Sequence, residues 1–581
     1  MPALKLSKHQ AFFSWLVLVS IIFMLSTLPV FSDWLLDRYQ VTAEDLILPL
    51  ALALLISIII SVVLCKSFHR DRFSALVGGI FAILALNQNY SERFDAVAPI
   101  LRAVSPWANL ESNDGPFYSF VFSLLIILLA LLIIRAINRF VSRRKWSMDV
   151  FANAITITIS VAFAVQLYPI VKTLIMEWSQ FSYRPPSITT PMATPASKPD
   201  IYYLVLDRYT NQDVLKNQFG YDNSTFINYL SDNGFTVNPK ADSNYPFTTM
   251  SIASTLNANY NTDLIQKFAS SPLQILEPYH DSIRYASVTE KLKSLGYSYY
   301  QLGSWYETDN QAPLADYNYQ PEGQLKIFSY TLTLNNFSKI KFTKSLFYEF
   351  VKHGLAIGNL NIVSYGSIGE SEATVYKLNQ LQNITKKPTG GKFIFAHILV
   401  PHDPYYFNAD GSLSTTPDGN NTGIPIKQKY TGQVEFINNQ MKSLVGEIKK
   451  NSNNNAVILI QSDEGPYPQQ INDEDFDSDA VGDELENNDM REWSDQNLQM
   501  KYGVLAAYDV PAAKAADLTR TNSINIFRVI FNTYFAAKMP YLAECNYAFP
   551  DGRSQPFVYD DVTKRLTGTA NPACPADSNF K

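Results

Sequence analysis

Four stretches in the first third of the chain, Phe12 to Phe31, Leu46 to Cys65, Phe117 to Ile134 and Phe151 to Val171, are apolar almost without a break. Runs of this length cannot be buried by a small soluble core, and as helices each crosses a hydrocarbon layer of about 30 Å. A shorter run, Phe73 to Leu86, decides the topology. Lys5 and Lys8 precede the first span, Lys66, Arg70 and Arg72 follow the second, and Arg135, Arg139, Arg143, Arg144 and Lys145 follow Phe117 to Ile134. Only a count of five spans puts all three basic segments on the cytoplasmic side, with the N-terminus inside. The first run is too long for a signal-peptide core and no small-residue cleavage site follows it, so it reads as a retained anchor. No span carries an obvious charge at mid-depth that would mark a transport path, so the bundle reads as a tether. The expectation is a multi-pass cell-membrane protein whose transmembrane domain covers residues 1–176, with everything beyond it extracytoplasmic.

The remaining chain is rich in Asn, Asp, Tyr and Ser. A net charge of -6 over 581 residues offers no basic field, which excludes nucleic acid as a partner. Residues 177–199 include Tyr183 to Pro199, proline-rich and without hydrophobic periodicity, and read as a semi-rigid linker. From 200 to 540, strand and helix signals alternate. Strands are expected at Ile201 to Asp207, Tyr297 to Leu302, Phe393 to Val400, Ala456 to Gln461 and Gly503 to Tyr508. Helices are expected at Asn223 to Asn233, Ser282 to Ser294, Glu372 to Leu381, Gln433 to Lys449 and Ile524 to Phe535. This alternation predicts an α/β domain with a mostly parallel sheet covered by helices on both faces. The tail, 541–581, holds Cys545 and Cys574, which either close a bridge in an oxidising compartment or stay unpaired. The acidic run Asp473 to Asp489 reads as a solvated segment, with a cation-recruiting flap as the sharper alternative.

Two strand candidates end on carboxylates. AVILIQSDEG, Ala456 to Gly465, delivers Asp463 and Glu464 to the carboxyl end of a buried strand, and IYYLVLD delivers Asp207 in the same way. Convergence of Asp207, Asp463 and Glu464 on one cation is the expectation. Tyr245 to Asn257, YPFTTMSIASTLN, supplies hydroxyls at a helix start, where free amide protons and the macrodipole favour an anion and one threonine is expected as the cap. The alternative is a helix with an ordinary threonine cap. His397 and His402, in HILVPHDPYY, place two imidazoles five residues apart at a strand end, suited to holding an anionic group and protonating a leaving oxygen.

In this order the pieces resemble the alkaline phosphatase superfamily, specifically its membrane-anchored sulfatase-like hydrolases and transferases, which include the lipoteichoic acid synthases and phosphoethanolamine transferases. PDIYYLVLD is similar to the opening strand of that family, which implies Asp207 as the first metal ligand. TTMSIASTL aligns with the sulfatase pattern C-x-P-S-R-A-S-x-L at Ser251, Ala253, Ser254 and Leu256, which implies Thr248 as nucleophile and metal-bound oxygen. HILVPHDPY is similar to the His-x-x-Pro-His-x-Pro region. The resemblance covers about residues 199 to 515, and five spans before an outward domain is the layout of the lipoteichoic acid synthases. Three departures define the subtype. Thr248 is neither Cys nor Ser and Ile252 stands in place of Arg, which argues against a true sulfatase; no outer-domain histidine follows an Asp by four residues, which leaves one metal; and Glu464 stands where the family has His. The implied all-oxygen set of Asp207, Thr248, Asp463 and Glu464 favours Mn²⁺, Mg²⁺ or Ca²⁺ over Zn²⁺. The implied activity is transfer or hydrolysis of a phospho-substituent on a membrane lipid or envelope glycan. The alternatives are a catalytically silent envelope scaffold and a sulfate-ester hydrolase.

Overall fold

A computed structural model describes residues 183–193, 198–269, 276–303, 312–319, 323–327, 330–334, 355–357, 360–366, 370–414, 424–468, 489–518, 521–549 and 556–574, with scattered single residues before them. The five apolar runs, and the acidic run up to residue 488, therefore lie outside the described residues apart from those scattered positions. Among the described residues no helix is long and apolar enough to cross a membrane. The chain divides into two compact units, residues 181–321 with 369–581, and residues 1–180 with 322–368. In the second, four strands, β5 (Gly323–Ile327), β6 (Tyr330–Leu334), β7 (Leu355–Ile357) and β8 (Leu360–Gly366), form an antiparallel sheet in the order β6-β5-β8-β7. These strands fall in a stretch for which no strand or helix was expected from sequence.

The first unit is built on a seven-stranded sheet in the order β2-β11-β10-β1-β9-β3-β4. Its centre is parallel: β1 (Ile201–Leu206) lies between β9 (Lys392–Ile398) and β10 (Val457–Gln461), and β3 (Ser298–Leu302) and β4 (Tyr317–Asn318) extend it parallel on the β9 side. On the other side β11 (Ala506–Asp509) and β2 (Thr236–Asn238) run antiparallel, an edge arrangement common on otherwise parallel sheets. All six residues of β1 are buried, as expected for a strand covered on both faces.

Period-two alternation sorts the side chains to two faces. Tyr202, Leu204 and Leu206 join the core formed with Val434, Ile437, Met441 and Val445 of the long helix Ile426–Ser452. Tyr203 faces the opposite way, stacking on Phe395 at 5.5 Å and meeting Phe527 edge-on at 5.5 Å. Each such ring buries apolar area worth about 1.5–3 kcal/mol, with about 0.5–1.5 kcal/mol added by a well-placed pair. Continuing the Tyr203 parity along the three central strands leads to Asp207, His397 and Asp463, because Tyr203 registers with Phe395 and Leu459, and Val205 with His397. One face of one sheet thus receives all three.

Two peripheral segments close around this face. Residues 183–193, read from sequence as a linker, lie along the unit: the Tyr183 amide donates to Asp281 Oδ2 at 3.0 Å, Ser287 Oγ to the Pro186 carbonyl at 2.9 Å, and the Ala193 amide to the Phe535 carbonyl at 2.8 Å. A disulfide joins Cys545 to Cys574. Behind it, Asn244 Nδ2 donates to the Cys545 carbonyl at 2.7 Å and Tyr245 stacks on Tyr547 at 5.7 Å, so the tail buttresses the turn that leads into Thr248.

Candidate active site

Helix Thr248–Asn257 starts directly after Phe247, which occupies the N-cap position without a side-chain hydrogen bond. Neither threonine is the cap expected from sequence. Nine consecutive residues, Thr248 to Leu256, are buried, and the inner hydroxyls bond to backbone: Ser251 Oγ to the Tyr245 carbonyl at 2.8 Å, Ser254 Oγ and Thr255 Oγ1 to the Ser251 carbonyl at 2.9 Å. Thr248, free of a capping duty, instead pairs with the Asp463 carboxyl.

Asp207, His397 and Asp463 are buried, and each offers a ligand atom within 4.8 Å of the other two. His397 Nε2 lies 3.3 Å from Asp207 Oδ2. Two carboxylates meeting away from water repel one another. Burial, and then the Asp207 charge, push the Asp463 carboxyl up; burial works the same way on Asp207, but His402, His397 and Arg208 outweigh it and hold Asp207 below the usual carboxylate range. Asp207 Oδ1 and Asp463 Oδ2 are buried and accept no hydrogen bond among the described residues. Such orphaned oxygens cost roughly 1–3 kcal/mol each, more when ionised, unless something neutralises them. The spacing and donor chemistry fit a divalent ion, whose ligands lie about 2.0–2.2 Å from it, held by Asp207, His397 and Asp463 with Thr248 at its side.

Glu464 stands apart from this set. Its Oε1 accepts from Arg208 Nε at 3.1 Å and from Lys501 Nζ at 2.9 Å, and it is not among the clustered ligands. Of the sequence grouping Asp207, Asp463 and Glu464, the structure brings Asp207 and Asp463 together with the imidazole of His397, and places Glu464 in an ion-pair network with Arg208 and Lys501. The physical reason is alternation, since adjacent residues at a strand end leave the chain in different directions. Gly465 permits the turn, because a Cβ there would collide with the carbonyl oxygens of Met500, Lys501 and Gly503. Its amide donates to the Lys501 carbonyl at 2.7 Å, which draws Lys501 against Glu464. Burial lowers the Lys501 ammonium to about 8 against the opposing pull of Glu464, and Tyr467 lies beneath it with 3.6 Å from Nζ to the ring centre.

His402 is partly exposed, its side chain 23% exposed, with Nδ1 against the Asp403 carbonyl. Of the two imidazoles proposed from sequence, His397 is buried in the cluster and His402 keeps access to a ligand. Arg208, Asp403 and Lys501 were not singled out from sequence. The available signal was the charge that directly follows the strand-end carboxylate in LDR; Lys501 is adjacent only through folding.

No family model matches the chain, and no curated protein matches it in sequence. Solved structures similar to it include the C-terminal periplasmic domain of EcEptC from Escherichia coli in complex with Zn, at 11% identity and TM-score 0.39, covering 67% of this chain and 100% of that one. They also include the C-terminal periplasmic domain of the phosphoethanolamine transferase EptC from Campylobacter jejuni, at 8% identity and TM-score 0.32, covering 56% of this chain and 82% of that one. A third is the putative sulfatase yidJ from Bacteroides fragilis, at 11% identity and TM-score 0.33, covering 64% and 79%. These are proteins of the kind the sequence motifs resemble.

Proposed function

We propose that the chain is a metal-dependent transferase or hydrolase acting on a phosphodiester, with Thr248 as nucleophile. The observation that carries this reading is the meeting of Asp207, His397 and Asp463 within 4.8 Å beside the buried hydroxyl of Thr248. A divalent ion held there supplies Lewis-acid chemistry, easing loss of the threonyl proton and balancing charge that develops on phosphorus. The imidazole nitrogen in the donor set makes Mn²⁺ or Zn²⁺ a better match than Ca²⁺. Thr248 Oγ1 attacks phosphorus, the bond from phosphorus to the leaving oxygen breaks, and the threonyl proton passes to Asp463, its hydrogen-bond partner. His402, the more exposed imidazole, donates the proton that the leaving oxygen takes up. A glycan, lipid or water hydroxyl then attacks the phosphorus of phospho-Thr248 and gives its proton to His402, the bond from phosphorus to Thr248 Oγ1 breaks, and the proton held by Asp463 returns to Thr248 Oγ1.

An extracytoplasmic site in a membrane-anchored protein fits this chemistry, since a lipid headgroup is then within reach as donor. The Cys545–Cys574 disulfide supports an oxidising compartment. The test is exposure of the full-length protein, loaded with Mn²⁺ or Zn²⁺, to membrane lipids and to a chromogenic phosphodiester, with mass detection of the Thr248 peptide. The expected result is turnover and a phospho-adduct on Thr248, both absent in Thr248→Ala. Turnover at wild-type rate in that variant overturns the assignment. Metal binding with neither turnover nor adduct points to the scaffold alternative, and a preference for aryl sulfate points to a sulfate ester.

A further inference from the structure

Arg208 follows Asp207 at the tip of the central strand, in the left-handed backbone region with φ 59°. For a residue with a Cβ this conformation costs of order 1–2 kcal/mol, and here Tyr430 secures it by donating its hydroxyl to the Arg208 carbonyl at 2.7 Å. The result is a side chain that reaches both neighbouring strand tips. Nε donates to Glu464 Oε1 at 3.1 Å after β10, Nη1 to Asp403 Oδ1 at 2.6 Å in the loop after β9, and the guanidinium carbon lies 4.8 Å from the Tyr467 ring centre. A guanidinium has five N–H donors. Two are engaged, and Nη2 makes no hydrogen bond among the described residues. With 11% of its side chain exposed, Arg208 sits between Glu464, the residue after Asp463, and Asp403, the residue after His402.

We propose that Arg208 is the oxyanion-binding residue of this site, its Nη2 edge gripping a non-bridging oxygen of a tetrahedral phosphoryl group while Asp403 and Glu464 hold the guanidinium plane in place. This rests on the phosphodiester reading above and specifies how its substrate is held. Asp403 and Glu464 balance the local charge of Arg208 and Lys501, so what Arg208 offers the ligand is a directed pair of charge-assisted hydrogen bonds rather than a field. A lysine at this position keeps the charge but lacks the fork. Glu464 becomes a positioning residue: it fixes Nε and so aims Nη2. A phosphate oxygen of a lipid headgroup and one of free phosphate present the same chemistry to that edge.

The test is an equilibrium titration of full-length, metal-loaded protein in detergent, in the Thr248→Ala background, where no turnover is needed. Orthophosphate is one ligand and phosphatidylglycerol in mixed micelles is the other. Arg208→Lys is expected to weaken binding of at least one of them by roughly 10- to 100-fold, the range for a lost hydrogen bond to a charged group. Glu464→Gln, which keeps an acceptor for Nε, is expected to weaken the same ligand by a smaller factor. In the Thr248-intact protein it should raise KM more than it lowers kcat. Loss for the lipid alone assigns the contact to a headgroup, and loss for both assigns it to phosphate in general; either supports the proposal. Unchanged affinity for both ligands in folded Arg208→Lys overturns it, and if that variant does not fold, unchanged affinity in Glu464→Gln does so. Because binding is read without chemistry, the result is independent of whether Thr248 is the nucleophile.

Discussion

The tips of β1 and β10 each carry two consecutive charged residues, Asp207 with Arg208 and Asp463 with Glu464, and the two members of each pair go to opposite fates. The first members face one another with His397 and leave two buried carboxylate oxygens without hydrogen bonds, a charge excess that calls for a cation. The second members bond to each other at 3.1 Å and, with Asp403 and Lys501, make a set in which two positive charges meet two negative ones. Four neighbouring carboxylates therefore divide by their charge partners: Asp207 and Asp463 meet each other and an imidazole, whereas Asp403 and Glu464 pair with Arg208 and Lys501, even though Glu464 Oε2 is also buried without a hydrogen bond among the described residues. A motif of acidic residues says how much negative charge reaches a strand end; only the alternation of the chain says which of it is free to bind.

The sharpest way to break this contrast is to neutralise one residue of each pair. Asp463→Asn is expected to abolish both turnover and the rise in Tm caused by Mn²⁺ or Zn²⁺, whereas Glu464→Gln keeps the metal-induced rise; equal loss in both variants would erase the distinction. Next in size is Lys501→Met. Removing one partner from a buried ion pair leaves the other charge uncompensated, so a destabilisation of about 3–5 kcal/mol is expected by urea unfolding, with the metal response intact. Chelation is expected to act on the first set only. Stripping an ion that was present at 100 times its Kd lowers stability by about 2.7 kcal/mol in wild type and by nothing measurable in Asp463→Asn.

The smallest effect sharpens the contrast with a third kind of acidic site. Burial, and then the charge of Glu544, push the Asp242 carboxyl up to about 7. With a folded value above the unfolded one, its contribution is fully present below about pH 4 and is lost as pH rises through about 7. Asp242→Asn is expected to flatten the fall in Tm between pH 4.5 and 7.5 by a few degrees at most, and a slope identical to wild type would remove Asp242 from the account.

Much of this was legible from residue order. Continuous apolar runs ending on carboxylates marked β1 and β10, and the His397 strand was visible as β9, since a strand covered on both faces has no polar face to hide it. Asp207 and Asp463 were within reach for the same reason, whereas Thr248, at the start of a helix, was singled out through the likeness of TTMSIASTL to the sulfatase pattern. His397 was read as a group for the leaving oxygen because its alternation with Val205 is set by pairing between strands, which a single sequence does not display. Lys501 was invisible for a related reason: it comes near Glu464 only because Gly465 packs on the backbone of residues 500–503. The antiparallel strands of 323–366 were missed although Gln324 to Ile327 and Tyr330 to Leu334 alternate polar with apolar residues, a period-two signal that was there to be read.

Arg208 and Glu464, joined by a hydrogen bond, are 256 residues apart in the chain. The parallel pairing of β1 with β10, in which Ile201 registers with Val457, brings these distant tips side by side. The cluster of Asp207, His397 and Asp463 therefore depends on β1, β9 and β10 being paired in this register. A one-residue slip in any of these strands would turn its acidic or imidazole side chain to the other face and dismantle the cluster.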